Sequence, residues 1–365
     1  MKNIIFIITD LNFGGGGERV VANMANYFFK ESNYNVEIIS LGLFSLETFY
    51  NIESGIKIKY LNIKQKSNNK IQNIYYKIKT FFSLKNYLKS NRNKSFVLGI
   101  GTYPNILLSN INYPYMIRIG CEHNSYKSVN KIWSILRILY YKKLNAVVSL
   151  TQKDRIFLSK ISKYCYTIPN ARTFTPIIIK DFSNKKARKQ LLAIGRLSYQ
   201  KGYNYLLDIF EKLSHKIPDW NLCIIGEGPL EKWLNDEIKK RKLKHRICLM
   251  KPIKEISKMY IDSSIYIMTS RFEGFPMVLL EAQSFGLPIV SFDCDTGPRD
   301  IIHNGIDGFL VKPYDINEMA NRIEQLIKDK ELRKRFGINA IKNSDNFSDE
   351  KIYSIWEKLF KNLQK

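Results

Sequence analysis

Long apolar runs, cysteine pairs and acidic residues are all scarce in this chain of 365 residues. No stretch approaches the roughly 20 apolar residues that a membrane-spanning helix needs, and the run from Ile4 to Ile8 is too short for an export signal. The five cysteines are odd in number and include no C-x-x-C pair, which argues against a disulfide framework. We therefore expect a cytoplasmic protein.

The shortage of acidic residues is uneven along the chain. Lys and Arg total 58 against 33 Asp and Glu, a net charge of +25, and no acidic residue lies between Glu53 and Glu122. From Lys57 to Lys94, eleven Lys or Arg are interleaved with apolar residues near helical spacing, including Tyr75, Ile78 and Phe82. This pattern predicts a basic amphipathic helix on an anionic membrane surface. The alternative is a chain-wide bias toward Lys, Ile and Asn, with the aromatic residues packed in the core. Nucleic acid would be attracted too, but no nucleic-acid-binding motif accompanies the charge.

Strand-like apolar runs alternate with segments of helical period, which predicts two α/β domains with parallel sheets. The runs are 4–9, 36–41, 96–100, 115–119 and 146–150, then 191–194, 222–225, 247–250, 265–269, 288–292 and 308–311. We expect residues 1–172 and 173–345 to be Rossmann-like domains whose ligands face a cleft from the carboxyl ends of both sheets. The linker lies just before or within the polar passage from Asp181 to Gln190. Residues 346–365 are expected to include an amphipathic helix, Asp349 to Leu363.

Two carboxylates, Glu273 and Glu281, stand eight positions apart across a predicted strand-to-helix junction. Pro276 suits the first helical turn, so Glu273 lies on a loop and Glu281 within a helix. Helix N-termini attract anions, and carboxylates accept hydrogen bonds from sugar hydroxyls. The arrangement therefore suits a phosphate joined to a sugar.

The segment from Glu273 to Glu281 resembles the E-x7-E signature of the family-4 retaining glycosyltransferases, which have the GT-B fold. Other motifs occur in that family's order along nearly the whole chain. They are Gly14 to Arg19, Glu122-His123-Asn124, Ile168-Pro169-Asn170, Gly195-Arg196-Leu197 with Lys201-Gly202, Gly226-Glu227-Gly228, and Gly297-Pro298 through Gly308. The resemblance implies transfer of a hexose or N-acetylhexosamine from a nucleotide diphosphate sugar, UDP-linked, with retention of anomeric configuration. It also implies that the C-terminal helix within residues 346–365 crosses back to the first domain.

The resemblance also implies roles for individual residues of the second domain. Glu281 would hold the ribose hydroxyls and Glu273 the sugar hydroxyls, while Arg196 and Lys201 would neutralise the leaving diphosphate as a metal would elsewhere. The backbone of the loop and helix start would serve sugar and phosphate. Further donor contacts are expected from Gly274, Phe275, Met277, Val278, Glu227 and Ile253. Glu227 stands where family members often have Asp, and the alternative for Gly226-Glu227-Gly228 is a turn that needs no ligand. Lys251, two residues before Ile253, stands where they often have Gly.

In the first domain, the resemblance places a glycine-rich loop and a histidine near the substrates. The loop from Gly14 to Arg19 is not a dinucleotide fingerprint, because Arg19 occupies the place of the third glycine. Gly15 and Gly16 would let the backbone approach the donor, although the loop has one glycine more than the family's usual form. His123 would hydrogen-bond a sugar hydroxyl or orient the acceptor. A tight turn and a surface histidine are the respective alternatives.

Asp293-Cys294-Asp295 matches the D-x-D metal motif of a different glycosyltransferase fold, but its position here is typical of a loop in the family named above. We expect neither a metal nor a cofactor. The expected partners are a nucleotide sugar, a glycan or lipid-linked glycan acceptor, and the inner face of the cell membrane, in synthesis of capsule, lipopolysaccharide or another surface glycan. A nucleotide-sugar epimerase of the same fold and a non-catalytic relative that binds nucleotide sugar are the alternatives.

Overall fold

The structure is a computed structural model that describes residues 3–31, 34–45, 48–64, 67, 69–176 and 189–364. The chain forms two compact units. The first comprises Met1–Ala171 and Asp349–Lys365, and the second is Arg172–Ser348. Most of the passage expected to hold the linker, up to position 188, lies outside the described residues.

The first unit is built on one parallel sheet. Its strands are β1 (Asn3–Ile8), β2 (Asn35–Ser40), β3 (Lys57–Tyr60), β4 (Ser95–Ile100), β5 (Met116–Glu122), β6 (Ala146–Ser149) and β7 (Cys165–Thr167). Its helices are α1 (Gly16–Lys30), α2 (Lys70–Ser90), α3 (Thr102–Ser109), α4 (Lys131–Tyr140), α5 (Gln152–Leu158) and, from the end of the chain, α13 (Asp349–Leu363). Among the described residues the strand order is β3-β2-β1-β4-β5-β6-β7.

The second unit repeats this plan with its own parallel sheet. Its strands are β8 (Gln190–Ile194), β9 (Asn221–Ile225), β10 (Ile247–Met250), β11 (Ile265–Met268), β12 (Ile289–Phe292) and β13 (Gly308–Val311). Its helices are α6 (Tyr203–Ser214), α7 (Glu231–Lys240), α8 (Ser257–Ile261), α9 (Met277–Ser284), α10 (Pro298–Ile301), α11 (Ile316–Lys328) and α12 (Lys330–Ser344). The described strands lie in the order β10-β9-β8-β11-β12-β13.

The strand order of each sheet reverses once, between β1 and β4 in the first unit and between β8 and β11 in the second. Crevices open outside the carboxyl ends of parallel strands at such reversals, because the following loops turn in opposite directions there. In the second unit Leu191 pairs with Ile265 and Leu192 with Tyr266. The loops after β8 and β11 therefore start side by side.

The last helix, α13, belongs to the core of the first unit. Its apolar side chains repeat at helical spacing, and Ile352, Tyr353, Trp356, Leu359 and Phe360 are buried. The Phe360 ring stacks on Phe96 of β4 at a centroid distance of 4.3 Å, and Tyr353 lies 4.3 Å from Tyr27 of α1. Within the described part of the chain, no helix is both long and apolar enough to cross a membrane.

The structure differs from the sequence-based expectation at a few elements. The strands β3 and β7 were not predicted: they are the edges of the first sheet, and Lys57 to Tyr60 alternates exposed lysines with half-buried residues. Helix α1 begins at Gly16, within the expected glycine-rich loop from Gly14 to Arg19. Pro276 is the N-cap residue of α9 rather than part of its first turn. All eleven apolar runs expected to be strands do form strands.

Candidate active site

Glu273 and Lys201 meet at the reversal of strand order in the second unit. Glu273 lies in the loop between β11 and α9, and Lys201 ends the short turn that follows β8. The Lys201 Nζ and Glu273 Oε1 atoms are 2.7 Å apart, and both side chains are largely buried, 16% and 8% exposed. Gln200 Nε2 donates to the other carboxylate oxygen of Glu273 over 3.3 Å. The structure thus pairs two of the residues singled out from the sequence.

Glu281 is held in a different way. It is 1% exposed in the middle of α9. Tyr260 at the end of α8 donates its hydroxyl to Glu281 Oε2 over 2.7 Å, and Thr173 Oγ1 lies 3.4 Å from Oε1. The Tyr260 ring stacks on Phe285 at 5.3 Å, which fixes the position of the hydroxyl. Sequence reasoning missed Tyr260 and Thr173, because neither stands in a recognisable motif.

The loop between the two carboxylates is supported from the segment after β12. Thr296 Oγ1 donates to the backbone oxygen of Glu273 over 2.5 Å. Gly297 has a φ of +94°, and a Cβ there would lie 2.9 Å from the Gly274 oxygen, so a side chain would push the loop away. Phe275 is buried, with its ring 5.8 Å from that of Phe347.

The first backbone N–H groups of α9 point out of the helix without acceptors. Within the described chain, the N–H groups of Met277 and Val278 have no hydrogen-bond partner, and Pro276 has no N–H to offer. The side chain of Met277 is buried and that of Val278 is half-buried. The helix start is therefore able to bind a negatively charged or hydroxyl-rich group through its backbone.

The loops after β8 and β9 are packed closely against each other. A Cβ on Gly226 would lie 2.0 Å from the Gly195 oxygen, so this crossing requires glycine. Arg196 is exposed, and its side chain makes no ion pair or hydrogen bond with a described residue. Glu227 is also exposed, and its backbone oxygen accepts from the N–H of Leu197 over 2.8 Å. Ile253, after β10, is half-buried.

The glycine-rich loop of the first unit follows β1 and runs directly into α1. Gly15 is the N-cap residue of α1 and Gly16 its first residue. A Cβ on Gly15 would come within 2.3 Å of Glu18 Oε2, so the missing side chain makes room for that carboxylate. Burial, with a contribution from Asp10, raises the pKa of Glu18. The loop is thus a helix N-terminus lined by a carboxylate.

His123 follows β5 and lines a small cavity of about 20 Å³ within the first unit. Its neighbours there include Asn23 and Met24 of α1, Asn170, and Trp356 of α13. Burial lowers the pKa of His123 to about 4, because the charged imidazolium would lose its hydration. The imidazole is therefore neutral at physiological pH and can both donate and accept a hydrogen bond.

The D-x-D sequence is engaged in an ion pair. Arg299 binds both carboxylate oxygens of Asp293, with Nε to Oδ1 at 2.9 Å and Nη2 to Oδ2 at 2.7 Å. Among the described residues, no group of three or more His, Cys, Asp or Glu side chains is arranged to hold a metal ion. Burial, with a contribution from Glu273, raises the pKa of the intervening Cys294 thiol to about 12.

Comparison with known proteins identifies relatives of the whole chain. Residues 175–343 match the family described as glycosyl transferases, group 1. The amylovoran biosynthesis glycosyltransferase AmsD of Erwinia amylovora is 32% identical over 368 residues, covering 98% of this chain and 99% of its own length. A Campylobacter jejuni enzyme, named GalNAc-alpha-(1->4)-GalNAc-alpha-(1->3)-diNAcBac-PP-undecaprenol alpha-1,4-N-acetyl-D-galactosaminyltransferase, is 27% identical over 366 residues, 98% of each chain.

Solved structures show the same fold. A mutant of TarM from S. aureus, in complex with fondaparinux, alpha-GlcNAc-glycerol and UDP, has a TM-score of 0.83 at 17% identity and covers 99% of this chain and 100% of that one. HepE of Anabaena, in complex with UDP and glucose, has a TM-score of 0.77 at 16% identity, again covering 99% and 100%.

The chain belongs to the group 1 glycosyl transferases, because a relative 32% identical to it extends over almost its whole length. Its two units with parallel sheets are those of the GT-B fold. The family and the fold expected from the ordered motifs are both confirmed. The protein is accordingly an enzyme, a glycosyltransferase of the hexosyltransferase class.

Proposed function

We propose that this enzyme transfers a hexose or N-acetylhexosamine from a UDP-linked sugar to a glycan acceptor in surface-polysaccharide synthesis, with retention of anomeric configuration. The observation that carries the proposal is the pairing of Lys201 with Glu273 at the strand reversal, beside the open N-terminus of α9. Support for the nucleotide and the pathway comes from relatives: two structural neighbours hold UDP, and AmsD is named for amylovoran biosynthesis.

In this proposal the two carboxylates bind different parts of the donor. Glu281 accepts hydrogen bonds from the ribose hydroxyls, and Tyr260 and Thr173 keep its carboxylate in place. Glu273 accepts from the hydroxyls of the transferred sugar. The backbone at Gly274, Phe275, Met277 and Val278 lies between them, so its N–H groups serve the sugar and the phosphates. Glu227 and Ile253 border the nucleoside.

Charge on the departing diphosphate is stabilised by two cations. Lys201 is held in the crevice by Glu273, whereas the exposed Arg196 is available to fold onto the phosphates. Such groups take the role that a divalent metal has in other phosphoryl-leaving reactions. The proposal therefore requires no metal and no cofactor. Asp293 forms an ion pair with Arg299 and is given no role as a metal ligand.

Retention follows in this proposal from attack on the same face that the leaving group departs from. The acceptor hydroxyl loses its proton to the departing phosphate oxygen while the new glycosidic bond forms and the old one breaks. Cys294, which interacts electrostatically with Glu273 and Lys201, is unsuited to be a nucleophile because its thiol pKa is raised to about 12. His123, neutral at physiological pH, hydrogen-bonds a sugar hydroxyl and is not a general base. Gly15 and Gly16 let the backbone of the first unit approach the donor.

The acceptor is proposed to be lipid-linked, with the enzyme at the inner face of the cell membrane. The Campylobacter jejuni relative carries a name that includes a glycan attached to PP-undecaprenol. The support within this chain is α2, whose N-terminal half exposes an apolar stripe at helical spacing between lysines. The stripe comprises Ile71, Ile74, Tyr75, Ile78 and Phe82, all more than half exposed. Aromatic and aliphatic side chains flanked by Lys are the composition of a helix that lies in a lipid interface.

Donor hydrolysis over UDP-, GDP- and ADP-sugars, with and without EDTA, tests the chemistry. We expect release of nucleotide from one UDP-sugar in EDTA, lost in Glu273→Ala and Lys201→Ala but kept in Lys232→Ala, an exposed lysine of α7. Release abolished by EDTA would refute the metal-free site. Free epimerised sugar formed without acceptor would indicate an epimerase. A chain that binds UDP-sugar but turns over none, even with lipid-linked glycans added, would be a non-catalytic binder.

A further inference from the structure

Helix α4 presents a row of aliphatic side chains to solvent. Ile132, Ile135, Ile138 and Leu139 repeat at intervals of three and four along one side of the helix, and each is between 49% and 68% exposed. Single exposed apolar residues are ordinary on protein surfaces, but a contiguous row on one helix marks a surface that contacts something.

The opposite side of α4 is fixed to the first unit, so the row cannot turn inward. Arg137 is fully buried, and its Nη2 lies 2.5 Å from Glu122 Oε2 and 2.9 Å from Thr102 Oγ1. The Trp133 ring contacts that of Tyr103 at 6.1 Å. Rotating the helix to cover the isoleucines would separate the Arg137 guanidinium from the buried carboxylate of Glu122. Breaking a buried ion pair in this way is strongly unfavourable. The aliphatic row is therefore a permanent feature of the surface.

The part of the sequence that contains α4 is rich in positively charged residues. From position 54 to 171 the chain has 21 Lys and Arg residues and only two acidic ones. Those two, Glu122 and Asp154, are both buried. Lys131 begins the helix, and Lys142 and Lys143 follow it. The apolar row is thus bordered by cations with no exposed carboxylate in this part of the sequence.

The row lies on a helix that neighbours α2. Lys77 of α2 lies with its Nζ 5.5 Å from the centre of the Trp133 ring of α4, so the two helices are neighbours. Both expose apolar stripes, and both are flanked by lysines. The two neighbouring helices thus each expose apolar side chains bordered by lysines.

We infer that α4 and α2 together bind the anionic leaflet of a membrane, with the aliphatic row of α4 inserted among the lipid chains and the lysines on the headgroup phosphates. A second copy of this chain is disfavoured as the occupant, because two such surfaces would bring like charges together. Nucleic acid offers no partner for four aliphatic side chains. This inference rests on the membrane part of the proposed function and assigns to α4 a contact that the basic segment alone does not supply.

Sedimentation with vesicles of phosphatidylcholine, with and without phosphatidylglycerol, tests the inference on the full chain. Three variants separate the contributions. Ile135→Ser/Ile138→Ser removes the centre of the row, Lys79→Gln/Lys89→Gln removes charge from α2, and Ile261→Ser/Ile306→Ser removes exposed isoleucines from the second unit as a control. Melting curves and donor hydrolysis confirm that each variant is folded and active.

We expect the α4 variant to bind anionic vesicles at least about tenfold more weakly at every salt concentration, because apolar insertion is not screened. The α2 variant should lose binding mainly at low salt, and the control should match the parent. Equal binding by the α4 variant and the parent would overturn the role of α4 and leave the membrane proposal standing. A parent that ignores anionic vesicles would refute both. A parent that self-associates through this face, with the α4 variant monomeric, would overturn the inference in favour of a second copy.

Discussion

The ion pair between Lys201 and Glu273 gives the sharpest test of how the site is built. Lys201→Met keeps the length of the side chain and removes the charge. Because the pair is almost buried, at 16% and 8% exposed, the carboxylate left behind keeps the hydrogen bond from Gln200 but is reached by little water. Breaking such a pair by removing one partner costs about 3 kcal/mol. In a unit of this size that lowers the melting temperature by about 6 to 12 °C.

A second substitution separates stability from catalysis. In Lys201→Met/Glu273→Gln the buried group is a neutral amide that needs no counter-ion, so most of the lost melting temperature should return. The turnover should not return. Removing one group that stabilises charge in the transition state lowers kcat about 100- to 1,000-fold, and the double variant still lacks the cation. Calorimetry and UDP-sugar hydrolysis, each compared with Glu273→Gln and with Lys232→Met, measure the two effects.

One outcome would refute this reasoning directly. If kcat recovered together with the melting temperature in the double variant, Lys201 would act only by neutralising a buried carboxylate, and its proposed contact with the diphosphate would be wrong. An unchanged melting temperature in Lys201→Met would instead show that the pair contributes nothing to folding.

Three further predictions concern single positions. Arg196→Ala should leave the melting temperature unchanged, because the side chain is exposed, yet lower kcat for donor hydrolysis about 100-fold, with partial recovery in Arg196→Lys. Gly202→Ala should lower the melting temperature, since φ is +64° and the new Cβ would lie 2.2 Å from the Thr269 oxygen, whereas Gly17→Ala has open space and should not. The pKa of His123 is about 4 in the folded chain and 6.5 in the unfolded chain. The free energy of unfolding therefore falls as the pH drops from 6.5 to about 4. His123→Asn should lose less melting temperature than the parent over that interval.

Much of the fold could be predicted because central parallel strands are buried on both faces. Runs such as Phe96 to Ile100 are continuously apolar, and that signal is independent of the rest of the chain. The edge strands β3 and β7 escaped detection for the converse reason. An edge strand has one neighbour and a partly solvated face, so Lys57 to Tyr60 reads as part of a basic surface segment.

The site was accessible from sequence only where residues stand in short motifs. Lys201 and Glu273 were found separately, but their direct contact depends on β8 pairing with β11, which no local pattern encodes. Tyr260 supports Glu281 from a position 21 residues earlier in the chain. Nothing in its own neighbourhood distinguishes it from a core aromatic residue, and its role is visible only in the folded unit.

The structure gives a physical reason for the spacing of eight between the two carboxylates. A buried carboxylate needs a donor, and the donors come from different elements: Lys201 from the turn after β8, and Tyr260 from the end of α8, just before β11. Glu273 must therefore stay on the loop, where the strand reversal brings Lys201 to it, while Glu281 must lie inside α9, on the side that faces Tyr260. Removing one residue between them would turn Glu281 by about 100° around a helix of 3.6 residues per turn, away from its donor. The spacing of the motif is thus set by the positions of two separate partners, Lys201 and Tyr260. An altered spacing should remove the hydrogen bond from Tyr260 to Glu281 even when both glutamates are present.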